Sequence, residues 1–247
     1  MKVLRDGADL RRTVATACRI LEREGLVEGI LGHVSARVSE DEIVIRCRGG
    51  ARERGLCFSE ASDVWRLTLD GEPVDVPEGY DPPKELPIHA ETLRRRSEFG
   101  AVIHAHPRAA LLAGLAGVRP RPVFGSYNLP AMRLALEGVP VFDRSVLITQ
   151  AELAAEMLAA MGDSDVVLLR GHGITVGAST VEQATVLALN LNVLLDVSVK
   201  LRLLGAEPAD LPIEDLADLP DLGSAFNDQL VWQALVAALE EERGGMT

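Results

Sequence analysis

The sequence predicts one α/β domain over residues 1–247, with a C-terminal helix over 225–241 as an extension. The first third has the pattern of an antiparallel sheet behind one helix, and the remainder alternates short apolar strands with helices. No internal repeat or linker divides the chain. The hydrophobic content of 47% is enough for a substantial core.

The first third predicts one helix followed by strands. Apolar residues recur at helical spacing over Asp9–Glu24. A glycine-bounded loop runs into a strand at Gly29–Arg37, and Glu42–Cys47 predicts a second strand. The arginines and glycines of Arg46–Gly55 predict an exposed loop. A hairpin closed by a type I′ turn is predicted next, in the order Val64–Leu69, Asp70-Gly71 and Glu72–Val76.

The remaining chain predicts helices separated by short strands. A helix over Glu85–Arg96 tolerates Pro87 in its first turn, where the missing N–H leaves no bond unmade. Capping boxes at Thr149–Glu152 and Ser179–Glu182 predict helices that reach Met161 and about Leu204. Further predictions are helices at Arg108–Gly114 and Pro130–Leu136, a buried strand at Asp165–Leu169 and an irregular crossing at Ala206–Leu222.

The composition of the chain excludes several classes of function. A formal net charge of −12 opposes binding to nucleic acid, which is itself a polyanion. No run of about 18 apolar residues occurs, so no membrane span is expected. The charged start Met1–Asp6 predicts no export signal. The spacing of Cys18, Cys47 and Cys57 fits neither a metal site nor a disulfide framework, so we expect reduced thiols in a cytoplasmic protein.

Three histidines predict a metal site. Ala101–Ile103 predicts a strand, and because side chains repeat with period two, His104 and His106 face the same side. His172, in a Gly-His-Gly turn after a predicted buried strand, is placed to supply a third imidazole. Three neutral imidazoles with positions left open are typical of a catalytic metal site. The spacing alone also allows another interpretation, in which these histidines are hydrogen-bonded residues of the core and bind no metal.

Glu85 and His89 lie four residues apart, and therefore on one face of a predicted helix at its start. Glu85 has two interpretations: a favourable charge at a helix N-terminus, or a general acid/base facing the metal. His89 has two interpretations as well, as a semi-buried structural histidine or as a residue of the active site.

Four motifs, in this order and at these intervals, resemble the class II aldolase/adducin superfamily over about residues 9 to 205. The resemblance implies a three-layer α/β/α fold with a central, mostly antiparallel sheet. It also implies a cyclic homotetramer with the site near a subunit interface. The motifs are Gly32-x-x-Ser35-x-Arg37, Glu85-x-x-x-His89, Ala101–Pro107 and Leu168–Gly173.

The resemblance further implies one divalent metal ion held by His104, His106 and His172, with Glu85 handling protons. Glu85 is also expected to take the free position on the metal when substrate is absent. Zinc is expected first, and manganese, cobalt and iron also suit three imidazoles. The ion would act as a Lewis acid that stabilises the charge left when a carbon–carbon bond breaks.

Departures from the sugar-phosphate aldolases of the superfamily indicate another substrate. Those enzymes bind phosphate through an Asn, a Ser/Thr-Gly turn and paired serines, where this chain has His33, Arg46–Gly55 and Pro83-Lys84. Their proton-donating tyrosine has no clear counterpart, and Phe142 lies near its place. The chain is more similar to members that decarboxylate hydroxylated aromatic acids of the dihydroxyphthalate type.

The resemblance therefore implies a divalent-metal-dependent carbon–carbon lyase, with decarboxylation of a hydroxylated aromatic acid favoured. His33 and Lys84 are expected to line the pocket opposite the metal and hold a second carboxylate of a small anionic substrate, with His89 as a further candidate. The alternatives are an aldolase acting on a hydroxy-carbonyl or sugar-phosphate substrate, an iron oxygenase, and a non-enzymatic interaction domain like the adducin head. The presence of all three metal histidines counts against the last.

Overall fold

The structure, a computed structural model, describes residues 7–244, and over that range the chain forms one seven-stranded sheet and eight α-helices. The predictions made from Met1–Asp6 lie outside the described residues. The strands are β1 (His33–Arg37), β2 (Glu42–Arg46), β3 (Val64–Thr68), β4 (Ala101–Ala105), β5 (Val141–Phe142), β6 (Val166–Leu169) and β7 (Gly173–Ala178). The helices are α1 (Gly7–Arg23), α2 (Leu86–Arg95), α3 (Arg108–Ala116), α4 (Leu129–Glu137), α5 (Ala151–Met161), α6 (Val181–Leu203), α7 (Ile213–Ala217) and α8 (Val231–Gly244).

The sheet lies between two layers of helices. Its strand order is β3-β2-β1-β4-β7-β6-β5, and every neighbouring pair is antiparallel except β5 with β6. Because side chains alternate across a strand, Ala101, Ile103 and Ala105 of β4 pack with α1, α3, α4 and α6. Val102 packs on the opposite face with α2 and α5. The predicted three-layer α/β/α fold with a mostly antiparallel sheet is confirmed.

Most predicted helices lie within a few residues of their expected bounds. Their first turns agree with the predictions to different degrees. Pro87 lies in the first turn of α2, as predicted. The capping box expected at Ser179–Glu182 is shifted by one residue, since Thr180 caps α6 and its side chain accepts a hydrogen bond from the N–H of Gln183. The box predicted at Thr149–Glu152 is wrong: Gln150 precedes α5 and makes no side-chain cap.

The predicted hairpin after β3 is wrong in its turn and in its second strand. A type I′ turn needs positive φ at both central residues, and among the described residues only glycines have positive φ. Instead, the carbonyl of Thr68 accepts a hydrogen bond from the N–H of Gly71, whose φ is +87°. The segment Glu72–Val76 pairs with β3 only at a bridge between Leu67 and Pro73. The ladder goes no further because the N–H of Arg66 donates to the side chain of Asp75 and not to the backbone of the segment.

The stretch Arg46–Gly55 is less exposed than predicted. Arg46 ends β2, is buried, and donates a 3.1 Å hydrogen bond to the hydroxyl of Ser59. It also forms an ion pair with Glu53, which accepts a 2.8 Å hydrogen bond from the N–H of Gly55. A charge-rich loop can thus fold inward when it contains the partner of its own buried arginine.

The C-terminal segment begins with a π-helical turn at Ala225–Leu230 and continues as α8. Helix α8 packs against α1 and α6, and Leu239 is buried there. Phe226 and Leu230, in the π-helical turn, are exposed. The assignment of this helix as an extension of one domain stays a prediction.

Helix α6 is long and apolar enough to cross a membrane by length and composition alone. Half of its most apolar window is buried inside the protein, where the helix packs against α1, α3, α4 and the sheet. This packing in a core layer accounts for the apolar composition of α6 without a membrane.

Candidate metal centre

Four of the residues singled out in the sequence meet at one end of the sheet. Strand β4 ends beside His106, β7 begins after the turn that carries His172, and Glu85 precedes α2. The nitrogen and oxygen atoms that Glu85, His104, His106 and His172 could offer to a metal all lie within 4.8 Å of one another. As the strand period predicts, His104 in β4 and His106 just beyond its end lie on the same side.

His104 and His106 point their Nε2 atoms at each other across 2.8 Å. The ring of His104 is fully buried, and its Nδ1 lies 3.3 Å from the hydroxyl of Thr175, the residue paired with it on β7. Burial lowers the pKa of His104, and it lowers the pKa of His106 to about 3. Both rings are therefore neutral near pH 7, which is the form that binds a metal ion.

His172 lies in the tight turn between β6 and β7, and its two flanking glycines have different structural roles. Gly171 has a φ of +67°, a conformation that residues with a Cβ rarely adopt. Gly173 permits close passage of β4, because a Cβ at this position would lie 2.2 Å from the carbonyl oxygen of Ala105 and 2.8 Å from the ring of His106. The centroid of the His172 ring lies 4.8 Å from the centroids of both other ligand rings.

Glu85 is buried at the start of α2, with its carboxylate turned towards the histidines. Its Oε1 accepts a 2.9 Å hydrogen bond from the N–H of Ile148. Its Oε2 lies 3.5 Å from Nε2 of His104 and 3.6 Å from Nε2 of His172. Burial alone would raise the pKa of Glu85, but its contacts with the two imidazoles and with Ile148 hold that pKa well below its ordinary value. Glu85 is therefore an ionised carboxylate at neutral pH.

The four side chains fit a divalent metal ion. Neutral imidazoles and a carboxylate are donors that catalytic zinc, manganese, cobalt and iron sites use. Bonds of about 2.1 Å separate neighbouring ligand atoms by about 3.0–3.4 Å, close to the 2.8 Å between His104 and His106 and the 3.5 Å between His104 and Glu85. A buried carboxylate surrounded by neutral rings also lacks a full countercharge, which a divalent cation supplies.

His33 lies beside this cluster. It is paired with His104 in the register of β1 on β4, and the two rings stack with centroids 5.5 Å apart and planes inclined by 21°. Burial, together with the neighbouring histidines, lowers the pKa of His33 well below its ordinary value. The ring can therefore hydrogen-bond an anion as a neutral donor, but it carries no positive charge near pH 7.

His89 and Lys84 lie in opposite environments. His89 is fully buried, with its Nδ1 2.7 Å from the hydroxyl of Ser35 and its ring edge-on to His33, so it cannot touch a substrate in this structure. Lys84 is exposed, and its side chain makes no hydrogen bond or ion pair with the part of the chain that the structure describes. All five histidines of the chain thus lie in or beside the cluster, and Lys84 is not brought into it.

Two groups that support the cluster were not predicted. Thr175 backs His104, and a lone hydroxyl side chain inside the apolar strand β7 was an available signal for it. Ile148 holds Glu85 through a backbone N–H from 63 residues away, and a backbone donor has no side-chain signature in a sequence. Phe142, near the place where a proton-donating tyrosine was sought, is buried in the apolar core and carries no hydroxyl.

Comparisons with known proteins identify the family of the chain and proteins of the same fold. The profile of the class II aldolase and adducin N-terminal domain matches residues 12–199. A 3,4-dihydroxyphthalate decarboxylase from Arthrobacter keyseri is 48% identical over 235 residues, covering 94% of each chain. Another from Terrabacter sp. is 46% identical over 231 residues, covering 93% of this chain and 96% of that protein. The crystal structure of an aldolase II superfamily protein from Pseudomonas syringae matches with a TM-score of 0.79 and 21% identity, covering 98% of this chain and 96% of that one. The chain belongs to the class II aldolase and adducin N-terminal domain family.

Proposed function

We propose that this protein is a carbon–carbon lyase that decarboxylates 3,4-dihydroxyphthalate or a closely related hydroxylated aromatic acid. One observation carries the proposal. The cluster of Glu85, His104, His106 and His172 lies in a chain that is 48% identical, over 94% of its length, to a decarboxylase of that substrate. An interaction domain would not need four converging metal donors, so the cluster favours an enzyme.

We assign the metal to His104, His106 and His172, with Glu85 occupying a further position when substrate is absent. Zinc is our first choice, and the donor set also suits manganese, cobalt and iron. A divalent cation held there supplies Lewis-acid stabilisation of the negative charge that develops as the carbon–carbon bond breaks.

Glu85 is the group that we assign to proton movement. Glu85 is ionised at neutral pH, and its contacts with the two imidazoles are what lower its pKa. When substrate displaces the carboxylate from those imidazoles, its basicity rises and it can accept the proton of the substrate hydroxyl next to the scissile carboxylate. The carbon–carboxylate bond then breaks, carbon dioxide leaves, and the electron pair stays on the ring carbon. Glu85 returns its proton to that carbon, and one proton from solvent restores the hydroxyl of the product. Because Glu85 is buried, little bulk water reaches its carboxylate, so the proton it holds is delivered to the carbon and not lost to solvent.

The second carboxylate of the substrate remains on the product, and we assign its binding to His33 and Lys84. His33 is supported by its stacking on His104, which places a neutral imidazole at the edge of the cluster. Lys84 precedes Glu85 in the chain and is exposed, so its ammonium group is free to turn towards an anion. Neither group should contribute to the affinity for a substrate that lacks this carboxylate.

We propose in addition a homotetramer with the site near a subunit interface, in the cytoplasm. Large apolar side chains beside the cluster support the interface: Leu111, Leu112 and Leu115 on α3, and Leu147 next to Ile148, are exposed. Light scattering on the purified protein should give the mass of four chains. The free state of all three cysteines supports a reducing compartment.

Product analysis tests the reaction. Metal-loaded protein is incubated separately with 3,4-dihydroxyphthalate, with phthalate, which lacks the hydroxyls, and with L-fuculose 1-phosphate. We expect carbon dioxide and 3,4-dihydroxybenzoate from the first compound and no product from the other two. Aldehyde release from the sugar phosphate would instead assign the chain to the aldolases. Turnover of phthalate would refute the role of the adjacent hydroxyl.

A further inference from the structure

Strand β1 presents a row of three polar side chains to the layer that contains α2. His33, Ser35 and Arg37 alternate with apolar residues, so the period of a strand places them on one face. Each of them contacts a different part of the site and its support. His33 stacks on the ring of His104, Ser35 contacts His89 of α2, and Arg37 reaches the carboxyl end of α2.

Arg37 ties the end of α2 to the sheet. Its guanidinium donates to the backbone carbonyl of Leu93, and it lies 3.1 Å from the carbonyl of Phe99 and 3.4 Å from that of Arg96. The last carbonyls of a helix have no partner within the helix, and Arg37 of β1 satisfies one of them, that of Leu93. This contact fixes where α2 ends against the sheet.

The contact between Ser35 and His89 fixes the rotation of α2. The hydroxyl of Ser35 and Nδ1 of His89 are 2.7 Å apart, and both residues are fully buried. Glu85 immediately precedes α2 and His89 lies in its first turns. Both side chains are turned towards β1 and β4, since Glu85 contacts His104 and His89 contacts Ser35 and His33. A rotation of α2 that breaks the hydrogen bond would also swing the carboxylate of Glu85 away from His104 and His172.

The stability of the fold does not account for a histidine at position 89. Its Nε2 is buried without a hydrogen-bond partner among the described residues, which is unfavourable. A phenylalanine would fill similar space and leave no polar atom unsatisfied. What the imidazole provides and an apolar ring cannot is the directional bond from Nδ1 to Ser35.

We infer that Ser35 and His89 are positioning residues, whose hydrogen bond sets the rotation of α2 and aims the carboxylate of Glu85 at the metal ligands. The inference rests on the proposed function in one respect, because it takes Glu85 as the group that contacts the metal and moves the proton. It gives His89 a role that does not require contact with substrate.

Cobalt substitution tests this directly, because the visible absorption of bound Co²⁺ depends on the identity and geometry of its ligands. The variants are His89→Phe and Ser35→Ala, with His89→Asn to restore a hydrogen-bonding group near the position of Nδ1. The control is Thr92→Val, which removes a buried hydroxyl whose one partner among residues 7–244 is the carbonyl of Ile88, within α2. The cobalt spectrum, the cobalt affinity in competition with a chelator, and kcat and KM are measured for each variant.

We expect His89→Phe and Ser35→Ala to bind one cobalt ion with an altered spectrum. Their kcat should fall by about 10- to 100-fold with little change in KM. His89→Asn should recover much of both properties, and Thr92→Val should resemble the wild type. A folded His89→Phe variant with the wild-type spectrum and kcat would overturn the inference. If that variant does not fold, Ser35→Ala, which deletes one oxygen atom, decides in the same way.

The test also separates the two proposals. Failure of the wild-type protein to release carbon dioxide from 3,4-dihydroxyphthalate would refute the proposed function, yet the cobalt spectra would still report whether the hydrogen bond aims Glu85. Normal decarboxylation together with unchanged spectra in both variants would refute the positioning role alone.

Discussion

His33 on β1 lies directly opposite His104 on β4, and the two imidazole rings stack with their centroids 5.5 Å apart. His104 is fully buried, and the ring of His33 covers one face of it. Burial keeps the pKa of His33 well below its ordinary value, so this imidazole is neutral. Any positive charge for an anionic substrate must come from the metal or from a residue such as Lys84.

Removal of His33 or Lys84 should affect a dicarboxylic substrate selectively. We expect His33→Ala and Lys84→Ala each to raise KM for 3,4-dihydroxyphthalate by about tenfold, the loss of one charge-assisted hydrogen bond. KM for the monocarboxylic 2,3-dihydroxybenzoate should change little. Lys200→Ala is the matched control, because Lys200 pairs with Asp196 on the exposed side of α6. Equal increases for both substrates would remove these residues from the carboxylate site.

Glu85→Gln should keep the metal and lose turnover. The amide preserves the shape of the side chain but cannot accept a proton, so kcat should fall by about 10²- to 10⁴-fold. Metal content by elemental analysis should stay at the wild-type value. Glu91→Gln is the control on the same helix, since Glu91 is buried and pairs with Arg94 and Arg95 away from the cluster. Wild-type turnover in metal-loaded Glu85→Gln would reduce Glu85 to a residue that merely begins a helix.

Gly173→Ala should weaken metal binding without unfolding the protein. The added methyl group would meet the carbonyl of Ala105 at 2.2 Å and the ring of His106 at 2.8 Å, so β7 and His106 must shift. We expect the metal affinity, measured by chelator competition, to fall by about 10- to 100-fold. Gly117→Ala adds the same methyl group in open space at a φ of +62°, and should lower the stability but not the affinity. Unchanged affinity in Gly173→Ala would show that the turn tolerates the shift.

The metal-free protein should lose stability as the pH falls below about 6.5. Burial lowers the pKa values of His33 and His104, and lowers those of His89 and His106 to about 3, whereas the unfolded chain titrates near its ordinary value of about 6.5. At a pH between the lowered pKa values and the ordinary one, the unfolded state binds more protons than the folded state. The free energy of unfolding therefore decreases as the pH decreases. The pKa of Glu85 is lowered too, and its contribution is lost only below the ordinary carboxyl range.

Urea unfolding of chelator-treated protein at pH 7.5, 6.5 and 5.5 measures this effect. The urea concentration at the midpoint should decrease as the pH is lowered from 6.5 to 5.5. The decrease should be smaller in His89→Phe, which has one buried imidazole fewer. A midpoint that is flat across this range would mean that these rings are already solvated or charged in the folded protein.

The parts of the site that were predictable are those set by local geometry. A short apolar run between Gly100 and Pro107 is enough to predict a strand, and the strand period then predicts that His104 and His106 share a side. The glycines around His172 predict a tight turn for the same local reason. These features need no knowledge of the rest of the chain.

Contacts between distant elements were not predictable in this way. The direction of Glu85 depends on the N–H of Ile148 and on the packing of α2 against Ser35, and neither follows from residues near Glu85 in sequence. The burial of Arg46 likewise depends on a partner within its own loop, Glu53, that a composition-based prediction of exposure cannot identify. Specific pairing between individual groups, and not local propensity, decided these outcomes.

The most direct test of the central claim is carbon dioxide release from 3,4-dihydroxyphthalate as metal is titrated into metal-free protein. We expect no release without metal, then a rise to a plateau at one equivalent of divalent cation per chain, with no release at any metal level from His104→Ala. Full activity in the metal-free protein, or no carbon dioxide from this substrate at any metal level, would contradict the account.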